Sequence, residues 1–237
     1  MSAEAPAVDE LMEARVTALF DHDHRGRTLA TNEWAGRQPA RFYLARTVLG
    51  SLCRIRADVP DQVALELQAL AADEPPLGDR WDPPAHAAAY VRLLGTETRT
   101  FESGSELIYW FGADVAPSVP PVAIDETNAH LLRGGLEDWL PDVPHRQPMM
   151  AMIENGQAVS LCASVRITAT SHEAGVETLP GYRRRGHAVN AVAGWAGAVR
   201  GRGIGMMFYS TSRENAASRA VAARLGLIPI GTDFSVS

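Results

Sequence analysis

Gly181-Tyr182-Arg183-Arg184-Arg185-Gly186-His187-Ala188 is the stretch on which the reading of this chain turns. It follows a β-prone run over residues 174–179 and Pro180, and it opens an Ala-rich helical run over residues 189–200. A strand that feeds its backbone through a glycine-containing turn into a helix start makes an anion site. The first amides of a helix have no internal partner, and the helix dipole adds partial positive charge there. Gly186 admits an anionic group close to the backbone, Ala188 is small, and three arginines supply fork-shaped cationic donors. An Arg-rich, solvated helix start would share the same composition.

The downstream order narrows the choice. Residues 205–210 read as a buried strand, Asn215-Ala-Ala-Ser218 opens a helical run that closes on Leu225-Gly226-Leu227, and residues 228–234 read as a last strand. Upstream, residues 149–153 and 158–167 flank Glu154-Asn155-Gly156-Gln157. Asn-Gly fits the positive φ angles of a type I′ turn, so this is a hairpin, with a third strand over residues 173–179.

The spacing Arg183-x-x-Gly186-x-Ala188, followed by the Asn215-x-x-Ser218 helix and its Leu-Gly ending, resembles the GNAT superfamily of N-acetyltransferases. Leu227 stands where that family usually has Phe. The resemblance covers residues 173–237 well and extends back to about residue 122. It implies an α/β fold with a GNAT-like mixed central sheet and flanking helices, plus an N-terminal α/β region. It implies acetyl-CoA as co-substrate and transfer of an acetyl group to a primary amine by direct attack in a ternary complex. The amides of Arg184, Arg185, Gly186, His187 and Ala188 would face the pyrophosphate, with a side-chain contact from Arg183 or Arg184. Main-chain groups of Glu177, Thr178 and Leu179 would pair with the pantetheine arm, and Asn215 and Ser218 would contact it or an ordered water.

A general base is also needed. Glu173 and Glu177 lie four residues apart, on one face of a regular strand, and are the catalytic candidates. Two carboxylates on one face are expected to split their pKa values. His172 reads as an exposed turn residue. One departure from the family stands out: many members carry a tyrosine seven residues after the Asn as general acid, and that position is Ala222 here. The departure leaves room for a non-catalytic acyl-CoA-binding regulatory protein, or for a module that holds another phosphate ligand.

Before residue 122 nothing carries a function. Residues 8–20 have apolar positions at helical spacing, residues 40–46 and 52–58 read as a hairpin, and residues 60–72 and 84–94 read as helices. Residues 28–39 read as loop, and a strand is clearest at residues 107–111. Three prolines within residues 113–121 place a boundary there. The expected division is 1–115, shaping the acceptor site, and 116–237, binding acetyl-CoA. A helix is expected from Thr127 or Asn128 to Trp139, with Gly134-Gly135 as a weak point.

The 237 residues carry a net charge of −6, with arginine in every one of the 22 basic positions. That balance argues against a nucleic-acid partner and is compatible with a cationic amine, small-molecule or peptide. No apolar run has the length of a membrane span and the N-terminus lacks a signal-peptide pattern, so a cytoplasmic protein without membrane contact is expected. Cys53 and Cys162 read as reduced thiols, and Asp21-His22-Asp23-His24 as a polar turn rather than a metal site. A homodimer, common in the family, would use the final strand as a free edge.

Overall fold

The computed structural model describes residues 5–78, 82–95 and 106–237. The sequence reading's strand at residues 107–111 lies within them. The α/β class expected from the sequence is observed. The chain runs α1 (Val8–Leu19), β1 (Phe20–His22), β2 (Thr28–Thr31), β3 (Phe42–Thr47), β4 (Gly50–Ile55), α2 (Asp61–Ala72), α3 (Ala87–Leu93) and β5 (Glu106–Trp110). It continues through β6 (Val122–Ala123), β7 (Met149–Glu154), β8 (Gln157–Ile167), β9 (Ser171–Thr178), α4 (His187–Arg200), β10 (Met206–Ser212), α5 (Ala216–Arg224) and β11 (Ile228–Val236). Short 3-10 turns stand at Ala129–Leu132, Glu137–Asp142 and Pro180–Tyr182.

Two compact units divide the chain. One holds residues 1–109, 210–216 and 229–237; the other holds 110–209 and 217–228. The sequence reading placed a single cut after residue 115. The chain instead crosses between the units several times, once inside β5 and once inside β10.

In the first unit, β3 pairs antiparallel with β4 and with β11, and β5 is the next strand beyond β11. The final strand is therefore interior to its sheet, not the free edge proposed for dimerisation. Its partners in β3 lie about 190 residues away in sequence, and no local pattern reports such a pairing. Phe42, Leu44, Ile55, Leu67, Tyr90, Phe234 and Val236 make the apolar core. Arg15, 1 % exposed, donates to Tyr43 Oη at 2.7 Å and to Asp233 at 3.2 Å, so its charge is paired where water is excluded. β1 and β2 pair as a separate hairpin, which replaces part of the loop expected over residues 28–39.

In the second unit the strand order is β10-β9-β8-β7-β6. Every pair there is antiparallel except β9 with β10. Asn155 and Gly156 have φ of 52° and 78°, as a type I′ turn requires. Val165 is an extra residue in β8, where the register against β9 shifts. The helix expected to end at Trp139 is replaced by two 3-10 turns separated by Gly134 and Gly135. Their φ angles of 108° and 135° lie outside any helix, and the Glu137 carboxylate takes both their amides, at 2.5 and 2.8 Å. Those hydrogen bonds hold the Glu137 carboxyl below the usual range.

α4 buries Ala191, Val192, Ala193, Trp195, Ala196 and Val199. The proline-rich segment read as a boundary packs on this helix. Asn190 Oδ1 accepts from the amide and hydroxyl of Ser118 at 2.9 and 3.0 Å and from the Val119 amide at 3.3 Å. Pro121 lies against Gly194 so closely that a Cβ there would collide with its ring.

Candidate functional site

The site is built where β9 ends and α4 begins. The parallel register of β9 with β10 runs from Ser171↔Met206 to Ala174↔Tyr209, and β9 then continues four residues to Thr178, paired with β8. From Gly175 onward the β10 side of β9 carries main-chain groups outside that register. A polar chain running alongside could pair with them as a strand would. The Glu177 carbonyl accepts from Ser160 Oγ of β8 at 3.0 Å, and the Thr178 carbonyl accepts from Arg183 Nε at 3.3 Å. The Leu179 amide donates to the Val159 carbonyl at 3.0 Å, so it is engaged inside the protein.

After Leu179 the chain turns through Pro180–Tyr182 and reaches Arg184 at φ 63° and Gly186 at φ 87°. Gly186 is the N-cap of α4; no side chain caps the helix, and its first backbone hydrogen bond runs from Asn190 N to Gly186 O at 3.1 Å. The amides of Gly186, His187, Ala188 and Val189 thus precede the helical ladder. A Cβ built on Gly186 would meet nothing within 4 Å, so the glycine answers to its left-handed backbone and the space before the helix is open. A non-glycine residue at positive φ, as at Arg184, is strained, and such strain collects at sites of binding.

The arginines differ in what they do. Arg183 reaches back to β9, Arg184 is exposed, and Arg185 lies over the Tyr182 ring at 5.1 Å. Glu154, at the end of β7, stands 3.6 Å from Arg185 and 2.8 Å from His187. The loop's positive charge is therefore partly neutralised by one carboxylate.

Both faces of β9 have neighbours. His172 points to the α4 side and is 4 % exposed, not in an exposed turn. Its Nδ1 lies 2.8 Å from Ser164 Oγ, which accepts from Trp195 Nε1 at 3.0 Å. Burial, with a smaller contribution from Arg202, lowers its pKa to about 4. On the opposite face stand Glu173, Gly175 and Glu177. Glu173 is 3 % exposed, whereas Glu177 is exposed and its Oε2 accepts from Trp139 Nε1 at 2.6 Å. Four residues of strand separate their backbones by about 13 Å, more than a Debye length at ordinary ionic strength.

Ala222 is fully buried in α5, and no proton donor stands at that position. The Tyr209 hydroxyl hydrogen-bonds instead to Ser218 Oγ, joining β10 to α5. Asn215 lies in the turn before α5, its amide on the Ser212 carbonyl at 3.1 Å, in the other compact unit. Sequence reasoning missed Trp139 as the partner of Glu177, Asn190 as the anchor of residues 118–119, and Glu154 as the counter-charge of the loop. None has a local signal: each partner is distant in sequence. Among the described residues no group of three or more His, Cys, Asp or Glu is placed to hold a metal ion. Asp23 accepts the amides of Arg25 and Arg27 at 2.8 and 2.9 Å. No described helix is long and apolar enough to cross a membrane.

No protein-family model matches the chain, and no curated protein does. Solved structures do. A GCN5-related N-acetyltransferase from Kribbella flavida is 19 % identical with a TM-score of 0.48, over 98 % of this chain and 95 % of that one. An acetyltransferase of the GNAT family from Novosphingobium aromaticivorans is 18 % identical at TM-score 0.48, over 57 % of this chain. Another, from Colwellia psychrerythraea, is 16 % identical at TM-score 0.44, over 63 % of this chain. The match spans 65 % and 62 % of the length of the last two. The neighbours are GNAT acetyltransferases, all at low identity to this chain.

Proposed function

We propose that this chain is an N-acetyltransferase that moves the acetyl group of acetyl-CoA to a primary amine. The observation that carries this reading is the junction of β9 and α4. A strand departs from its parallel neighbour after Ala174 and leads to an uncapped helix start. There the left-handed Gly186 leaves open space and three arginines gather. Such a junction suits a ligand with an amide-bearing arm and a pyrophosphate. Arg184, Arg185, Gly186, His187 and Ala188 would present amides to the pyrophosphate, with Arg183 or Arg184 adding side-chain charge. Glu177, Thr178 and Leu179 would border the arm, and Asn215 and Ser218 are candidate contacts further along it.

In the proposed reaction the neutral amine attacks the thioester carbonyl and forms a tetrahedral oxyanion. The carbon–sulfur bond then breaks and the electron pair leaves on CoA thiolate. A carboxylate takes the proton lost by the amine, directly or through water. Both Glu173 and Glu177 remain candidates, and exposure favours Glu177. The thiolate is a good leaving group and is protonated from solvent, which fits a chain with alanine at position 222.

Calorimetric titration with acetyl-CoA, CoA and ADP, on wild type and on Gly186→Glu, tests the reading. Binding of acetyl-CoA that the substitution abolishes, with ADP much weaker, supports it. Folded wild-type protein that binds no acetyl-CoA refutes it.

A further inference from the structure

Glu177 stands near the end of β9 on the surface of the second unit, where water alone would leave its carboxylate free to turn. An indole sets its direction. Trp139 Nε1 donates to Glu177 Oε2 at 2.6 Å, short for an N–H donor, as a charged acceptor makes it. With Oε2 on the indole, Oε1 is the oxygen that can take a proton from outside.

The indole is itself held on several sides. It belongs to the 3-10 turn Glu137–Asp142, and the Glu137 carboxylate fixes the start of that turn on the Gly134 and Gly135 amides. It packs against the buried cluster that holds Leu132, Leu136, Val143 and Met149. The Arg146 guanidinium lies over the ring, 5.5 Å from its centroid, and Arg146 Nε stands 3.2 Å from Asp142 Oδ1. On the β9 side the ring borders Gly175, two residues before Glu177 and on the same face. A Cβ at Gly175 would meet the indole Cη2 at 3.5 Å and would collide with Val165, the extra residue of β8. The donor is thus fixed by packing, while the acceptor sits on a flexible, exposed side chain. A hydrogen bond to an exposed carboxylate is exchanged against water and adds little to stability. What it does is restrict the carboxylate to one orientation.

We propose that Trp139 is a positioning residue for the Glu177 carboxylate in acetyl transfer, holding Oε2 so that Oε1 receives the proton of the attacking amine. Trp139 takes no proton itself; it acts through Glu177. The inference rests on the proposed function and on Glu177 as the base within it.

The test is a double-mutant cycle on the full chain, with Trp139→Phe, Glu177→Gln and the two together. Phe keeps a ring against the apolar cluster and removes the donor. Thiol release from acetyl-CoA is followed with benzylamine, tyramine, spermidine and an Ala-led peptide as acceptors, and calorimetry gives the acetyl-CoA affinity. Trp139→Phe is expected to lower kcat by about 10- to 100-fold, the loss that misplacing a catalytic group by roughly 1 Å brings. Acceptor KM and acetyl-CoA affinity are expected to stay unchanged, because neither ligand loses a contact. In the Glu177→Gln background the same substitution is expected to change nothing further. A second readout needs no change at Trp139: its indole N–H signal in the ¹H–¹⁵N spectrum is expected to move upfield in Glu177→Gln, where a neutral amide replaces the charged acceptor. This signal decides the matter if Trp139→Phe does not fold, as judged by circular dichroism and melting temperature. Equal losses of kcat in both backgrounds, an unchanged kcat in folded Trp139→Phe or in Glu177→Gln, or an indole signal indifferent to Glu177→Gln would overturn the inference and leave the acetyltransferase reading standing. No turnover with any of the acceptors, in protein that binds acetyl-CoA, would overturn Glu177 as a base and this inference with it. Folded protein that binds no acetyl-CoA would instead refute the acetyltransferase reading itself.

Discussion

His172 makes stability depend on pH in a way that the structure fixes in sign and size. The imidazole is 4 % exposed, and the hydrogens around it are spoken for. Trp195 Nε1 donates to Ser164 Oγ, so the Ser164 hydroxyl is free to donate to His172 Nδ1. Protonating Nδ1 would place two donors against each other in a site without water. Burial, with a smaller contribution from Arg202, puts the folded pKa at about 4, against an ordinary 6.5. Between those values the unfolded chain holds more protons than the folded one, so stability rises with pH. The contribution is complete above pH 6.5 and lost as the pH falls through the window to 4. At 1.36 kcal/mol per pH unit the whole fall amounts to about 3 kcal/mol, a large share of a typical folding free energy. Other carboxyls with lowered pKa, such as Asp58 and Glu137, and the lowered His22 add slope of the same sign. The measurement is therefore a difference. Urea unfolding of wild type and His172→Asn is compared at intervals from pH 7.5 to 4.5. Asn keeps an acceptor near the Nδ1 position and does not titrate. The variant is expected to be less stable at pH 7.5 and to lose its deficit as the pH falls. Parallel stability curves would refute the account.

Further expectations concern the junction and its supports. Asn190→Ala removes the acceptor of three hydrogen bonds to residues 118–119 and is expected to cost about 2 kcal/mol in urea unfolding. Gly186→Ala meets no steric obstacle, so its cost is the left-handed backbone alone, about 1 kcal/mol, read as a lowered melting temperature. Glu177→Gln should leave acetyl-CoA affinity unchanged while lowering kcat by about 100-fold or more, if Glu177 is the base; an unchanged kcat in an amine screen would remove it from that role. Glu154→Gln removes the carboxylate that competes for Arg185 and His187, and calorimetry is expected to show tighter acetyl-CoA binding.

The legible parts of this chain were those written in short-range chemistry. Asn155-Gly156 announced its hairpin because few residue pairs accept two successive positive φ angles. The start of α4 was legible from Gly186, and the apolar spacing of residues 8–20 gave α1 with one residue too many at its end. The candidate site was half legible. Position along β9 marked Glu173 and Glu177, yet only the structure separates a buried carboxylate from an exposed one resting on Trp139. His172 was misread because the run over residues 171–178 looks like a turn followed by a strand, whereas β9 already begins at Ser171. Residues 113–121, read as a boundary, also pack on the second unit's helix. Prolines forbid regular structure, but they do not forbid packing, and Asn190 and Gly194 receive that segment on α4.

By itself the sequence determined the strands and helices from residue 149 onward, the Asn155-Gly156 turn and the glycine-led start of α4. Each of these follows from side-chain periodicity and backbone sterics acting over a few residues. Tertiary structure alone decided that β11 lies between β3 and β5, that β9 departs from β10 after Ala174, and that Glu154 faces the arginine loop. It also decided that the Trp139 indole meets the Glu177 carboxylate. Those outcomes depend on which distant surfaces bury one another. That choice is made by the free energy of the whole packed arrangement and leaves no mark within a short window of residues.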